Sequence, residues 1–304
     1  MSGIVDGSAG SAAEQLPPVA DEQPLRRRRR AGVGQIIVGL ILLGPIVIAG
    51  VAAPQLAPHD PVTVDVAQRL VPPMWVDGGS GEHVLGTDSL GRDIYSRILF
   101  GARVSLLVGV AAVVGSGVIG IILGLLVGYY KGWLDSVLMG YADVQQSFPF
   151  LALAIVVVAL LGSSLTNVLI VLVIGGWILY ARIVRAEVLS VSQKDFIEGA
   201  KSVGASDLRI LYKHLLPSVR SPILIVSTFN FAWFIIAEAS LSFLGLGIPP
   251  SIPSWGAMMS ESRAYLNIAW WFPLFPGVAL VSCVLGANLL GDGLRDLWDP
   301  RMRS

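Results

Sequence analysis

The sequence predicts an all-α membrane protein that crosses the bilayer six times. Of its 304 residues, 54% are hydrophobic and only 14% are charged, whereas a soluble domain carries roughly 25% charged residues. The mean hydropathy is +0.71. The apolar residues fall into six long runs, and a helix needs about 20 such residues to cross the hydrocarbon core.

The N-terminal residues 1–30 predict a disordered, basic tail. They are rich in Gly, Ser, Ala, Pro and charge, and they end in five arginines at positions 26–30. Such a composition cannot bury a core. Beside an apolar run, the arginines indicate a cytosolic anchor rather than a nucleic-acid-binding patch, so no nucleic-acid partner is expected.

Residues 31–304 form the predicted transmembrane domain. The first run, residues 33–53, would extend about 31 Å as a helix. It is longer than the roughly 7–15 apolar residues of a signal peptide, although a cleaved signal is the alternative. The other runs are residues 105–130, 138–161, 167–183, 222–244 and 271–290.

The lysines and arginines predict the orientation of these spans. If the N-terminus is cytosolic, 16 of the 21 lysines and arginines fall on the cytosolic side. The positive-inside rule therefore predicts that both termini are cytosolic. Residues 54–104 become a long external segment, and the spacing of apolar residues over 89–104 predicts an amphipathic helix on the outer surface before the second span.

The internal loop of residues 190–220 predicts two short helices with a tight corner. Ser192 and Asp195 have the spacing of a capping box, and Gly204 can adopt the left-handed conformation that stops a helix. Ser206 or Asp207 then begins the second helix. Two stripes are predicted on these helices: Phe196, Ala200 and Val203 on the first, and Leu208, Leu211 and Leu215 on the second. An exposed apolar side chain such as Phe196 favours a partner groove, while a loop packed on its own spans is the alternative.

The same loop matches a motif of transport proteins. The pattern E-A-A-x3-G-x9-I-x-L-P is matched in spacing by Glu198, Gly199, Ala200, Gly204, His214, Leu216 and Pro217. The loop therefore resembles the EAA loop of bacterial ABC importer permeases. Two positions depart from it: Gly199 replaces Ala and His214 replaces Ile. Glycine inside a helix costs about 1 kcal/mol relative to Ala, which loosens the first helix.

Further segments extend the resemblance over nearly all of the chain after residue 30. Residues 86–88, 91–93, 96–97, 101–106, 238–247, 254–256 and 288–296 are similar to the DppC/OppC permeases of dipeptide and oligopeptide importers. The resemblance implies a type I ABC importer permease fold in the bacterial cytoplasmic (inner) membrane. A nickel or other small-solute importer permease of the same family is the alternative.

The resemblance also implies the partners. These are a homologous second permease of the DppB/OppB type, two ABC ATPase subunits or one fused ATPase, an external substrate-binding protein or lipoprotein, and the lipid bilayer. ATP and Mg would sit on the ATPases. This chain itself has no Gly-Lys dipeptide and hence no GxxxxGK[ST] phosphate loop. It is expected to bind no cofactor and no metal.

No catalytic residue is expected either. The three histidines, His59, His83 and His214, lie outside the apolar runs, which argues against an intramembrane hydrolase with a Ser–His dyad. The exposed helix pair argues against a purely structural scaffold. The residues expected to dock the ATPase are Asp195, Phe196, Glu198, Gly199, Ala200, Gly204, Asp207, Arg209, His214 and Pro217.

Polar side chains inside the spans are candidates for the translocation path. A charged group at mid-bilayer costs about 2.5–3.5 kcal/mol on insertion scales. Asp143 and Gln146 share one face of the third span, and Ser227, Asn230 and Glu238 share one face of the fifth. Both faces are expected to point into the bundle. Hydrogen bonds between helices, or contact with the second permease, are the alternative roles.

The external segments supply a third set of candidates. Contacts with the receptor or the second permease are expected from Asp88, Arg92, Asp93, Arg97, Arg103 and Trp255. The alternative for the charged residues is pairing with one another and with lipid headgroups. The alternative for Trp255, together with Trp270 and Trp271, is an aromatic belt at the membrane interface.

Overall fold

The computed structural model describes residues 23–298. Within this range the chain is helical and contains no β-strand, only an isolated bridge between Thr87 and Asp93. Residues 1–22, and with them most of the predicted tail, lie outside the described range. Residues 23–30, which were assigned to that tail, instead form the beginning of the first helix.

The chain order of the helices matches the predicted alternation of long spans and short surface elements. Short 3₁₀ turns lie at Val66–Gln68 and Arg263–Tyr265, and a π-helical turn lies at Leu211–Leu215. The helices are α1 (Gln23–Val51), α2 (Ala53–Leu56), α3 (Ile94–Tyr130), α4 (Gly132–Gln146), α5 (Phe150–Leu161), α6 (Leu165–Val191), α7 (Asp195–Ser202), α8 (Asp207–Ile210), α9 (Leu216–Ser218), α10 (Arg220–Phe243), α11 (Trp255–Ser262) and α12 (Trp271–Trp298).

Five of these helices, α1, α3, α6, α10 and α12, are long and apolar enough to cross a membrane, and the pair α4–α5 makes a sixth span that is bent by 88°. The break lies at Pro149, whose extended backbone precedes α5 and which lacks an N–H group. Asp135 in α4 pairs with Arg185 of α6, and the carbonyl of Leu161 in α5 accepts from Asn167. The pair thus follows α6 over about 27 Å, which agrees with six predicted spans.

The prediction of a separate amphipathic helix over residues 89–104 is wrong, because these residues lead directly into the second span. Asp93 caps α3 by accepting a hydrogen bond from the Ser96 N–H at 2.7 Å, and the helix then continues without interruption to Tyr130. No proline interrupts residues 94–130. Gly101 permits close contact with α11, because a Cβ there would lie 2.9 Å from Cδ1 of Trp255. The first turns of α3 are therefore a packed extension of the second span.

Small residues bring α3 and α6 into backbone contact. Gly120, Gly124 and Gly128 recur every four residues on the face of α3 that meets α6. A Cβ on Gly120 would lie 2.4 Å from the carbonyl oxygen of Trp177, and one on Gly124 would lie 2.6 Å from that of Ala181. Such stripes let membrane helices approach closely. This four-residue glycine spacing is visible in the sequence itself.

The two ends of the bundle have different structures. Ile94 at the start of α3 packs with Met258 and Phe272, next to the irregular stretch that precedes α3. Tyr129 at the other end packs against the loop that contains α7 and α8. Because α3 has 37 residues and is therefore about 55 Å long, these regions lie at opposite ends. Which end faces the cytosol remains a prediction from the charge distribution.

Candidate functional site

The predicted helix pair is present as α7 and α8. Gly204 lies at the corner with φ +81°, and the Ala205 N–H donates to the carbonyl of Ala200 at 3.0 Å. A left-handed residue of this kind is the usual end of a helix. Ser206 then precedes α8 as its N-cap residue. The corner therefore forms as the sequence predicts.

The beginning of α7 differs from the predicted capping box. Ser192 ends α6, where its N–H donates to the carbonyl of Val188 at 2.8 Å. Lys194 is the residue that precedes α7. Helix α6 extends to Val191, whereas the sequence predicts that this span, the fourth, ends near residue 183. The reason is tertiary, because Val188 and Val191 are buried against the helix pair, and this contact favours two further helical turns.

The inner face of the pair is anchored to two membrane spans. Ile197, Ile210, Leu211 and Leu215 are fully or almost fully buried. They form one cluster with Val184, Val188, Val191 and Val219, and with the partly buried Leu125 and Tyr129. Leu208, predicted to share the face of Leu211 and Leu215, is exposed. The π-helical turn at Leu211–Leu215 changes the helical period, so that Ile210 points inward in its place.

The outer face of the pair carries large side chains that this chain leaves uncovered. Phe196, Val203, Leu208 and Tyr212 are between 51% and 85% exposed. Charged residues border them, and each of these is exposed: Asp195, Glu198, Arg209 and Lys213. An apolar patch with a charged rim is typical of a protein-binding surface. We call these four large residues the outer corner.

The remaining residues of the predicted docking set have mixed positions. Gly199 is exposed, and a Cβ there would meet nothing within 4 Å, so packing does not require glycine. The ring of the half-buried His214 lies 6.1 Å from that of Phe196. Ala200 and Pro217 are half-buried, and Pro217 lies in the first turn of α9.

Asp207 connects the pair to α3. Its carboxylate accepts a hydrogen bond from the Tyr129 hydroxyl at 2.7 Å. The Lys201 ammonium lies 5.2 Å from the centre of the Tyr129 ring, within the range of a cation–π contact. Both short helices thus contact the last turn of one membrane span, so a force on the corner reaches the bundle directly.

The candidate path residues of α10 face the interior, as predicted. Asn230 and Glu238 are buried, and Ser227 is half-buried. Ser227 accepts a hydrogen bond from the hydroxyl of Tyr180 at 3.1 Å, and Glu238 accepts one from Ser242 at 2.7 Å. In this conformation these residues are enclosed by helices of the same chain rather than exposed along an open channel.

The candidates in α4 do not face the interior of this chain. Asp143 is 69% exposed and pairs with Arg182 of α6 at 2.5 Å, and Gln146 is also exposed. Gln145 turns inward instead, where it donates to a carbonyl of α6 and accepts from Trp177. The polar face that Asp143 and Gln146 share is therefore on the outside of the single chain.

Charged residues at the start of α3 and in α11 form a largely buried network. Arg92 pairs with Asp88 at 2.6 Å and with Glu261 at 2.7 Å. Arg97 pairs with Asp88 and, at 2.9 Å, with Glu261. Two positive and two negative side chains balance one another, so these residues are internal links rather than free receptor contacts. Glu261 had no signal in the sequence, because its partners are distant in the chain.

The other residues predicted to contact the receptor or the second permease, and the two further tryptophans, differ in how deeply they are buried. Trp255 is buried, and its Nε1–H donates to the carbonyl of Ile98 at 3.2 Å, so it belongs to the core and not to an interfacial belt. Trp271 is also buried, whereas Trp270 is exposed. Asp93 is buried at the start of α3. Arg103 is exposed and stays available for a partner.

Comparison with known proteins gives a consistent result over most of the chain. Residues 120–304 match the protein family described as "Binding-protein-dependent transport system inner membrane component". A putative peptide transport system permease protein of Brucella suis biovar 1 is 42% identical over 287 residues, which cover 94% of this chain and 93% of the relative. The dipeptide transport system permease protein DppC of Alkalihalophilus pseudofirmus is 42% identical over 88% of this chain and 86% of its own length. The glutathione transport system permease protein GsiD of Pectobacterium atrosepticum is 45% identical, with 88% and 87% covered.

Proposed function

This chain belongs to the family of inner membrane components of binding-protein-dependent transport systems, and on that premise we propose that it carries short peptides. It is a multi-pass permease subunit of an ABC importer in the bacterial inner membrane. The cargo is proposed from the relatives, which are named for peptides, dipeptides and glutathione, the last of which is a tripeptide.

The proposed mechanism assigns the energy source to other subunits. Two ABC ATPases, or one fused ATPase, would hydrolyse ATP with Mg²⁺. A second permease of the DppB/OppB type would complete the path, and an external binding protein or lipoprotein would deliver the peptide. These specific partners are proposed from membership of an ABC importer family, which requires such components in general.

The main support for this mechanism is the exposure of the outer corner. Its four exposed side chains, Phe196, Val203, Leu208 and Tyr212, lie on helices whose inner face is anchored to α3 and α6. An ATPase groove that covers this corner could move the spans only if it bound the inward-open and outward-open conformations with different affinity. The proposed coupling therefore passes from the corner through Asp207 and Tyr129 into α3.

This mechanism requires the corner to be cytosolic. The positive-inside rule supports this orientation, because it would put 16 of the 21 lysines and arginines on the cytosolic side. Within the described residues, the exposed pair of Asp143 and Arg182 offers a polar strip on the outside of the chain. We assign this strip to the boundary with the second permease, where the translocation path would run, because two charges exposed to lipid would be costly.

Growth of a bacterial strain that lacks this chain, with a dipeptide as the source of an essential amino acid, tests the proposed cargo. The strain should fail to grow when an essential amino acid is supplied only as a dipeptide, and a plasmid with the chain should restore growth. Growth on the free amino acid is the control. If peptide growth is unchanged while uptake of radioactive nickel falls, the peptide assignment is wrong and the nickel alternative is correct.

A further inference from the structure

Three potential metal ligands from distant positions meet beside the start of α3. Nδ1 of His83 lies 3.0 Å from Oδ1 of Asp93, and Nδ1 of His59 lies 3.8 Å from Oδ2 of the same carboxylate. One ligand atom from each of the three residues can be chosen so that all lie within 4.8 Å of one another. We call this group the HHD cluster.

The cluster is held in place by the surrounding chain. His83 and Asp93 are buried, and the rings of His59 and His83 are 4.7 Å apart. Ser96 supports two of the three positions, because its N–H donates to Asp93 and its hydroxyl oxygen accepts from the backbone N–H of His59 at 3.2 Å. Outer contacts of this kind orient ligands at protein metal sites.

The charges around the cluster leave a place for a cation. Asp93 is buried, and the nearby Arg92 and Arg97 are both engaged by Asp88 and Glu261. Nδ1 of His59 is buried and has no hydrogen-bond partner among the described residues. Its distance of 3.8 Å from the carboxylate is too long for a hydrogen bond. This buried nitrogen therefore points at a carboxylate without bonding to it, and a cation between the two groups would give both of them a partner.

We propose that His59, His83 and Asp93 bind a late first-row divalent cation, with Zn²⁺ as its representative. Imidazole nitrogen and carboxylate oxygen are common Zn²⁺ ligands at about 2.0–2.2 Å, and tetrahedral geometry places them roughly 3.4 Å apart. The nitrogen–oxygen distances of 3.0 and 3.8 Å, each to a different oxygen of Asp93, lie on either side of that value. Ion binding would draw the three ligand atoms together from separations of up to 4.8 Å. The side chain of His59 as a whole is 39% exposed, so the cluster lies close to the protein surface.

The bound ion would fasten the external segment to the second span. His59 and His83 lie in the irregular stretch between α2 and α3, and Asp93 is the residue that caps α3. One ion would therefore connect two separate points of this stretch to the membrane bundle. The ion is a resident part of the fold in this proposal, not the cargo, so the site is independent of whether the importer carries peptides.

Zinc binding by the purified full-length chain tests the proposal. The protein is prepared in detergent without a polyhistidine tag, stripped with a chelator, and titrated with Zn²⁺ in competition with a chromogenic chelator. We expect about one Zn²⁺ per chain in excess of weak surface binding. His59→Ala and His83→Asn should each weaken this binding at least about tenfold, because each removes one of three protein ligands. The Asn amide at position 83 keeps a hydrogen-bond donor for Asp93.

The matched control is His214→Ala, which removes a histidine at the opposite end of the bundle and should leave zinc binding unchanged. Zn²⁺ should also raise the thermal midpoint of the unaltered chain more than that of His59→Ala, since a ligand stabilises the state that binds it. If His83→Asn does not fold, the partly exposed His59→Ala decides the question alone. The proposal is wrong if the unaltered chain binds zinc no more tightly than His59→Ala, or if His214→Ala loses binding equally.

Discussion

Arg97 in α3 and Glu261 in α11 are 164 positions apart in the chain and form an ion pair at 2.9 Å. Together with Asp88 and Arg92 they connect the stretch before α3, the start of the second span and the helix before the last span. The network has equal numbers of positive and negative groups. Its members therefore depend on one another, because the loss of one leaves a buried charge without its partner.

Asp88→Asn should destabilise the protein strongly. The side chain of Asp88 is completely buried and contacts both arginines, and breaking a buried pair costs about 3–5 kcal/mol. Thermal unfolding of the purified chain in detergent measures the effect. Glu82→Gln is the control, since it removes the same charge from an exposed position in the same segment. Equal shifts of the two midpoints would contradict a structural role for the network.

The double change Phe196→Asp with Glu198→Arg should prevent binding of the ATPase. It places a charge in the outer corner and reverses one at its rim, and truncation of a central interface residue commonly costs 2 kcal/mol or more, about 30-fold in affinity. Co-purification of the ATPase with the membrane-extracted chain measures the loss. Gln193→Asp adds a charge to the same exposed turn outside α7 and should keep the ATPase. Retention of the ATPase by the double variant would show that docking occurs elsewhere.

Two glycine substitutions in the helix pair should have opposite effects on docking. Gly199→Ala should preserve or tighten ATPase binding, because a Cβ there meets nothing within 4 Å and Ala favours a helix by about 1 kcal/mol. Gly204→Ala has the same open space but forces a side chain onto a residue with φ +81°, at a cost of about 1–2 kcal/mol. The affinity of purified ATPase for each variant, measured in nanodiscs, compares the two. If both variants bind alike, the corner conformation does not control docking.

Gly124→Leu should disrupt the contact between α3 and α6. A Cβ at this position would lie 2.6 Å from the carbonyl oxygen of Ala181, so the two helices must separate, and overpacking of this kind costs at least about 1–3 kcal/mol. The amount of monodisperse protein extracted from membranes is the readout. Gly140→Leu introduces the same side chain in α4, where nothing lies within 4 Å, and it should be extracted normally. Similar losses for both variants would contradict the close packing of α3 on α6.

Hydropathy was sufficient to locate the spans. A bilayer penalises every unsatisfied polar group, and this penalty acts on each stretch of about 20 residues separately. The six apolar runs could therefore be recognised without knowing which helices touch. The corner at Gly204 was equally local, since a left-handed residue stops a helix through its own backbone.

The ends of the helices depended on tertiary contacts. The second span begins at Ile94 and not near residue 105, because its first turns are packed against α11 and α12. Helix α6, the fourth span, extends to Val191 because its last turns are buried by the pair α7 and α8. In both cases local sequence was compatible with more than one boundary, and burial selected one of them.

Contacts between side chains that are far apart in the chain could not be predicted from the local sequence. Arg97 was visible as a charge that needed a partner, but only folding brings Glu261 to it. Likewise, His59, His83 and Asp93 have no spacing that suggests a shared site, and they meet because an irregular stretch folds back onto the start of α3. Composition reports which groups must avoid lipid, whereas the choice of partner for each buried charge is made by the packing of the whole chain.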